Sequence, residues 1–212
     1  MSLFKSIFSK EKPQRAVKSV QDLRVNDVIV MSDSFGLPSQ LRDQQFQVTA
    51  INTYEFENKN QLEWVLTGGS DIQLFLSLEQ DDVTELKFSL KIEHEDVESL
   101  FDLDDFSTLF DEPGQAQLTK QQDTPHSDGW SSDHYQQHVF AQVGYFHRKD
   151  HRSQSLSQFE GKDSGEQFEL YVLYDDEQSF GIDVEVWQDG DTDIFLTLFR
   201  PLTDIVDMYP GS

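Results

Sequence analysis

Five of the six histidines crowd into one stretch: His126, His134, His138, His147 and His151. His134 and His138 are four residues apart, as are His147 and His151. On a helix that spacing puts both rings on one face, where neutral imidazole nitrogens could grip a divalent metal, with Asp133 and Asp150 nearby. The stretch lacks the glutamate of H-E-x-x-H, so it is not the metalloprotease motif. It also offers no closed ligand set. The expectation is no bound metal and no cofactor, with a metal-binding protein or metal-dependent enzyme using 126–151 as the alternative reading.

The acidic residues invite a similar test. Asp189, Asp191 and Asp193 in WQDGDTD alternate like calcium-loop ligands, but no bidentate glutamate follows and the chain runs directly into DIFLTLF. Asp102, Asp104 and Asp105 lack both the glycine and the closing glutamate. With 40 acids in the chain, carboxylate pairs are unavoidable and carry no weight as acid–base machinery. There is no G-x-S-x-G, no Gly-rich phosphate loop and no dinucleotide fingerprint. No catalytic or cofactor-binding residue is assigned, and the reading leans away from an enzyme. The chain has no cysteine, which excludes disulfides, thiolate nucleophiles and Cys-based metal centres.

The charge narrows the partners. Lys plus Arg number 16 against 40 acids, a net charge of −24. Such a surface disfavours nucleic acid, because phosphate binding needs a basic face. It would attract a cation: a basic protein, a polyamine or a metal ion. The imbalance is uneven. Residues 1–24 are net basic, whereas residues 81–112 hold 12 acids and only Lys87 and Lys91. A cationic partner on the 81–112 face, around Asp81, Asp82, Glu95, Asp96 and Glu98, is one expectation. Leu3, Phe4, Ile7 and Phe8 fall at helical spacing beside Lys5 and Lys10, which allows weak peripheral membrane contact through residues 1–12. No apolar run approaches the roughly 18 residues a membrane span needs, and MSLFKSIFSK has no signal-peptide pattern. A cytoplasmic location, peripheral to the inner membrane, is expected.

The elements that must position these residues read mostly as strands. Leu, Ile, Val and Phe make up 61 of the 212 residues, enough to bury a core despite the charge. Apolar alternation runs through Phe46–Val48, Leu62–Trp64–Leu66, Leu74–Leu76–Leu78 and Leu86–Phe88–Leu90–Ile92, with turns at Asn58–Asn60 and Gly68–Gly69. HEDVESLFDLDDFSTLF then shifts to helical spacing. Residues 111–131, rich in Gln, Asp, Ser, Pro and Gly, read as a linker in which Trp130 is an exposed contact candidate. From Asp133 to Gly144 the spacing of Tyr135, Val139, Phe140 and Val143 favours a capped helix over a strand. Residues 152–166 read as a polar loop. Three strands follow, FELYVLY, SFGIDVEVW and DIFLTLF, joined at Asp175–Asp176 and Asp189–Gly190. Trp64 and Trp187 belong to the core or a hairpin face. Pro201 ends the last strand, and LTDIVDMY fits a short closing helix with Leu202, Ile205 and Tyr209 inward.

The two halves echo each other: strand, acidic turn, strand, acidic turn, strand, short helix, with Leu66 matched to Leu173. The fold class expected is mainly β (α+β): two similar antiparallel β lobes with short helices and an internal duplication. The domain plan is a basic tail at 1–22, a first lobe at 23–110, a linker at 111–131 and a second lobe at 132–212.

Within residues 23–80, LRVNDVIVM, FQVTAINTYEF, EWVLTG and FLSLE together resemble the bacterial family named domain of unknown function 4178. Asn26–Asp27 stands where that family has Gly-Asp, and the family's Trp after EWVL is missing. The second half resembles the same pattern loosely. The resemblance implies a small β-rich module in a membrane or polycation context, with no catalytic residue to carry over. The function expected is a non-enzymatic interaction module that binds a protein or a polycation, near the membrane in a stress context.

Overall fold

The computed structural model describes residues 15–69, 72–153 and 165–211. The amphipathic stretch 1–12 and most of the expected loop 152–166 lie outside them. The chain is mainly β. Its strands are β1 (Val28–Met31), β2 (Gln45–Glu55), β3 (Asn60–Thr67), β4 (Gln73–Gln80), β5 (Thr84–Ile92), β6 (Gln117–Thr119), β7 (His134–His147), β8 (Glu166–Tyr174), β9 (Phe180–Trp187), β10 (Thr192–Pro201) and β11 (Ile205–Tyr209). Two short helices, α1 (His94–Leu100) and α2 (Leu103–Ser107), sit between β5 and β6. Asp102 starts α2 by accepting from the backbone N–H groups of Asp104 and Asp105, at 2.9 and 3.2 Å. That is the work of a helix N-cap, not of a cation ligand.

All strands join one antiparallel sheet in the order β11-β1-β2-β3-β4-β5-β10-β9-β8-β7-β6, and β2 also pairs β7. That extra pairing sets Thr53, Tyr54 and Glu55 against His147, Phe146 and Tyr145. It closes eight strands, β2-β3-β4-β5-β10-β9-β8-β7, into a ring. The halves therefore do not stand as lobes on either side of a linker. Two meanders of identical order, β2–β5 and β7–β10, meet first strand to first and last to last. Leu66 on β3 and Leu173 on β8 occupy corresponding strands of the two meanders.

One face of the sheet carries Leu66, Leu76, Phe88, Leu90, Ile182, Val184 and Leu196, all almost fully buried. These form a single apolar cluster with Val97, Leu100 and Phe106 of the helical segment and with Leu23, Leu41 and Trp130. The helices and the irregular chain at 15–44 and 108–133 thus cover that face. The other face turns into the ring.

Three expectations give way here. Residues 134–144 are strand, not a helix capped by Asp133. Register shifts interrupt the β7–β8 ladder between Gln137 and Val139 and between Val139 and Gln142, and Ala141 takes φ 46°. Each bulge inserts residues into the alternation, so apolar positions at 135, 139, 140 and 143 imitate a helical stripe on an extended chain. LTDIVDMY is a 3₁₀ turn at Leu202–Asp204 followed by β11. It pairs the edge of β1, with Val28 opposite Tyr209 and Ile29 opposite Met208, and Leu202 and Tyr209 stay exposed. The edge of β1 supplied a partner that local spacing could not foresee. Finally, 111–131 is not a spacer. It contains β6, and Ala116, Leu118, Ser127 and Trp130 are buried. The Gln121 N–H donates to the Leu100 carbonyl at 2.7 Å, and the Thr124 hydroxyl donates to Asp96 at 3.2 Å. Trp130 is fully buried, so it is no contact residue.

Candidate functional site

Alternation along β2, β3, β5 and β9 sends Tyr54, Glu63, Lys87, Asp183 and Glu185 to the face opposite the leucines. On an open sheet that face would meet water. Ring closure buries Glu63, Lys87, Asp183 and Glu185. Tyr54, Glu63, Ser77, Lys87, Asp183 and Glu185 line one interior cavity of about 50 Å³. Strands β3 and β9 lie diametrically across the ring.

Two polar sets share this space. In the first, the Lys87 ammonium donates to Asp183 Oδ2 at 2.5 Å, beside the Phe199 ring at 5.9 Å. In the second, Glu63 accepts from Asn52 Nδ2 at 2.9 Å and from the Tyr54 hydroxyl at 3.3 Å. Glu185 lines the same cavity, and its negative charge acts on the Tyr54 hydroxyl. The other Asp183 oxygen, Oδ1, is buried and has no hydrogen-bond partner among the described residues.

The environment sets the charge of these groups. Burial pushes Glu63 up to about 7, although the bonds from Asn52 and Tyr54 and the charge of Lys87 pull the other way. Burial also holds Glu185 well above the usual carboxylate range, and the negative charges of Glu63, Asp183 and Asp193 add to it. Burial works against the Lys87 charge, but Asp183 outweighs it and the ammonium titrates above its ordinary value. Burial and the acids around it likewise keep Tyr54 protonated.

The cavity has a mouth. A groove of about 450 Å³ shares Tyr54, Glu63, Glu185 and Phe195 with it and continues outward past Phe75, Trp187 and Asp193. Phe75 meets Phe195 edge-on at 5.5 Å, and Trp187 packs on Phe168 at 5.3 Å. Asp193 stands opposite Glu185 in the β9–β10 ladder, and the Lys91 ammonium lies 2.6 Å from it. Beyond Trp187, the rim carries Asp189 and Asp191. The groove and its rim also carry Lys91, paired with Asp193, and Arg148, paired with Glu166, while Glu63, Asp183 and Glu185 bring carboxyls to the cavity beside the Phe195 and Phe168 rings.

The histidines do not converge. His134 contacts Thr119 at 3.3 Å, and the His138 ring lies tilted against Tyr174 at 5.2 Å. His147 is buried against Glu55 at 2.8 Å with His151 beside it, and His126 lies 3.5 Å from Asp96. Among the described residues no group of three or more His, Cys, Asp or Glu could hold a metal ion. Asp189 accepts from the Asp191 N–H at 3.2 Å and so shapes the β9–β10 turn, while Asp193 is paired with Lys91. Asp81 and Asp82 lie in the β4–β5 turn, whereas Glu95, Asp96 and Glu98 are on α1. No described helix is long and apolar enough to cross a membrane.

Sequence reading passed over Tyr54, Glu63, Lys87, Asp183 and Glu185. Only Glu63 carried a signal, in EWVLT, where apolar residues occupy both faces of the strand, whereas Asp183 and Glu185 alternate with apolar neighbours in GIDVEVW as solvent-facing charges do. A strand apolar on both sides is buried on both sides, so a charge within it is an interior charge. The chain matches no family model, no curated protein and no solved structure.

Proposed function

We propose that the chain is a non-catalytic interaction module that binds a cationic partner, a basic protein or a polycation, at the mouth of the ring. One observation carries the reading. Glu63 and Glu185 come from opposite strands of the ring, Glu63 accepts from the Tyr54 hydroxyl, and both carboxyls line a groove with Trp187 and Asp193, while the buried Lys87 is engaged with Asp183. The net charge of −24 adds a long-range pull on the same class of partner. A cytoplasmic location belongs to this reading, with peripheral membrane contact through residues 1–12. The resemblance to the domain of unknown function 4178 family fits it, as that family brings no catalytic residue.

The experiment is calorimetric titration of tetralysine into the full chain at moderate salt. The expected result is measurable affinity that falls at least tenfold in the Glu63→Gln/Glu185→Gln variant and is kept when Asp81 and Asp82 become Asn. Equal losses in both variants would reduce the attraction to net charge and move it away from the ring.

A further inference from the structure

We propose that the interior cavity is a receptor for a primary ammonium group, carried on an unbranched alkyl chain that leaves through the aromatic mouth. This rests on the cation-binding reading above and names the ligand class. Three features of the ring specify it.

The first is acceptor number. An R–NH₃⁺ group has three donors and no acceptor. The cavity is lined by Glu63 from β3 and by Asp183 and Glu185, two residues apart on β9, and Asp183 Oδ1 has no hydrogen-bond partner among the described residues. A buried acceptor without a partner costs free energy, and an inserted donor removes that cost. A trimethylammonium head brings no N–H and leaves all three acceptors unanswered.

The second feature is size. About 50 Å³ accommodates only a few water-sized groups, which suits one ammonium and its first methylene. The alkyl chain then has Phe75, Phe195, Phe146 and Trp187 to follow through a groove that also carries Lys91 and Arg148. The third is precedent within the ring itself. Lys87 on Asp183 and Lys91 on Asp193 already place primary ammonium groups against carboxylates here, the first beside an aromatic face. Glu63 and Glu185 bring two further carboxyls to the same cavity.

Charge balance follows. Near neutral pH the Glu63–Glu185 set retains protons because both carboxyls are raised. The ammonium enters already protonated, so a carboxyl proton leaves to solvent and a carboxylate forms against it. Binding therefore releases protons and tightens as pH rises through 7.

The probes are n-pentylammonium and its N,N,N-trimethyl homologue, titrated into the full chain by calorimetry in two buffers of different protonation enthalpy. The wild-type chain should bind the primary amine at least tenfold tighter than the trimethyl homologue, with proton release. Glu63→Gln/Glu185→Gln should lose at least tenfold. The isosteric exchange removes two ionisable carboxyls with little change of volume, and the comparison of the two probes on the wild-type chain does not depend on that variant folding. Equal affinity for the two probes, binding without proton release, or affinity unchanged in the double variant would overturn the proposal. So would tighter binding of magnesium than of the amine. A lysine side chain and a free amine present the same group, and tetralysine against n-pentylammonium separates them. If tetralysine binds and n-pentylammonium does not, the cavity proposal fails while the interaction reading stands. If neither binds, both fail.

Discussion

Lys87 and Asp183 are 96 residues apart in the chain and meet at 2.5 Å inside the ring, across the intervening strand β10. Lys87 comes from the last strand of the first meander and Asp183 from the third strand of the second. The contact therefore ties the halves together within the interior. It engages the buried Lys87 ammonium, while Glu63 accepts from Asn52 and Tyr54 instead.

This pair is a test of interior charge. Breaking it from one side leaves an uncompensated buried charge, so Lys87→Met should cost about 3–5 kcal/mol. Replacing both ends, Lys87→Met with Asp183→Val, should recover most of that loss. Urea unfolding of the two single variants and the double completes the cycle. Additive losses would place the two side chains out of contact.

Glu63 makes stability depend on pH in a definite direction. Its folded value is about 7 against 4.5 for an ordinary glutamate, so the folded state binds this proton more tightly than the unfolded chain. The resulting stabilisation is complete below about pH 4.5 and is lost as pH rises through about 7. A tenfold difference in proton affinity corresponds to about 1.4 kcal/mol, so the loss approaches about 3 kcal/mol by about pH 8. Glu63→Gln removes this titration. The stability of the wild type relative to the variant should fall between about pH 5 and about pH 8. Parallel curves would mean that Glu63 does not titrate in that window.

Ring closure depends on Gly144. A Cβ there would lie 2.5 Å from Phe168 Cζ and 2.9 Å from Phe56 Cε1, inside the aromatic group that packs at the β2–β7 seam. Gly144→Ala should destabilise by about 1–3 kcal/mol through overpacking. Adding Phe168→Leu should return part of it. A neutral Gly144→Ala would show that the seam has slack.

Trp130 reports on the segment that reads as a linker. It is fully buried in the main apolar cluster, and its indole N–H has no partner among the described residues. Trp130→Ala should therefore cost about 3–5 kcal/mol, as truncating a large core side chain does. Trp130→Phe should cost less, since no hydrogen bond is lost. A negligible effect of Trp130→Ala would return 111–131 to the role of spacer.

The sequence by itself determined the β class and most of the strands. Leu86, Phe88, Leu90 and Ile92 alternate because one face of β5 meets a core, and Asp189–Gly190 turns because glycine takes φ 94° there without strain. The α1–α2 segment is equally legible from its helical spacing, while the capping role of Asp102 came from the structure. The tertiary structure alone decided three things. Bulges in β7 disguised a strand as a helix, and the open edge of β1 drew the C-terminal segment into β11. The third is the pairing of Thr53–Glu55 with Tyr145–His147, which closed the ring and turned Glu63, Lys87, Asp183 and Glu185 from one side of a strand into an interior. Alternation records which residues share a face, because the period of a strand is a local property of the backbone. What that face meets is set by contacts about a hundred residues away, and no local pattern encodes them.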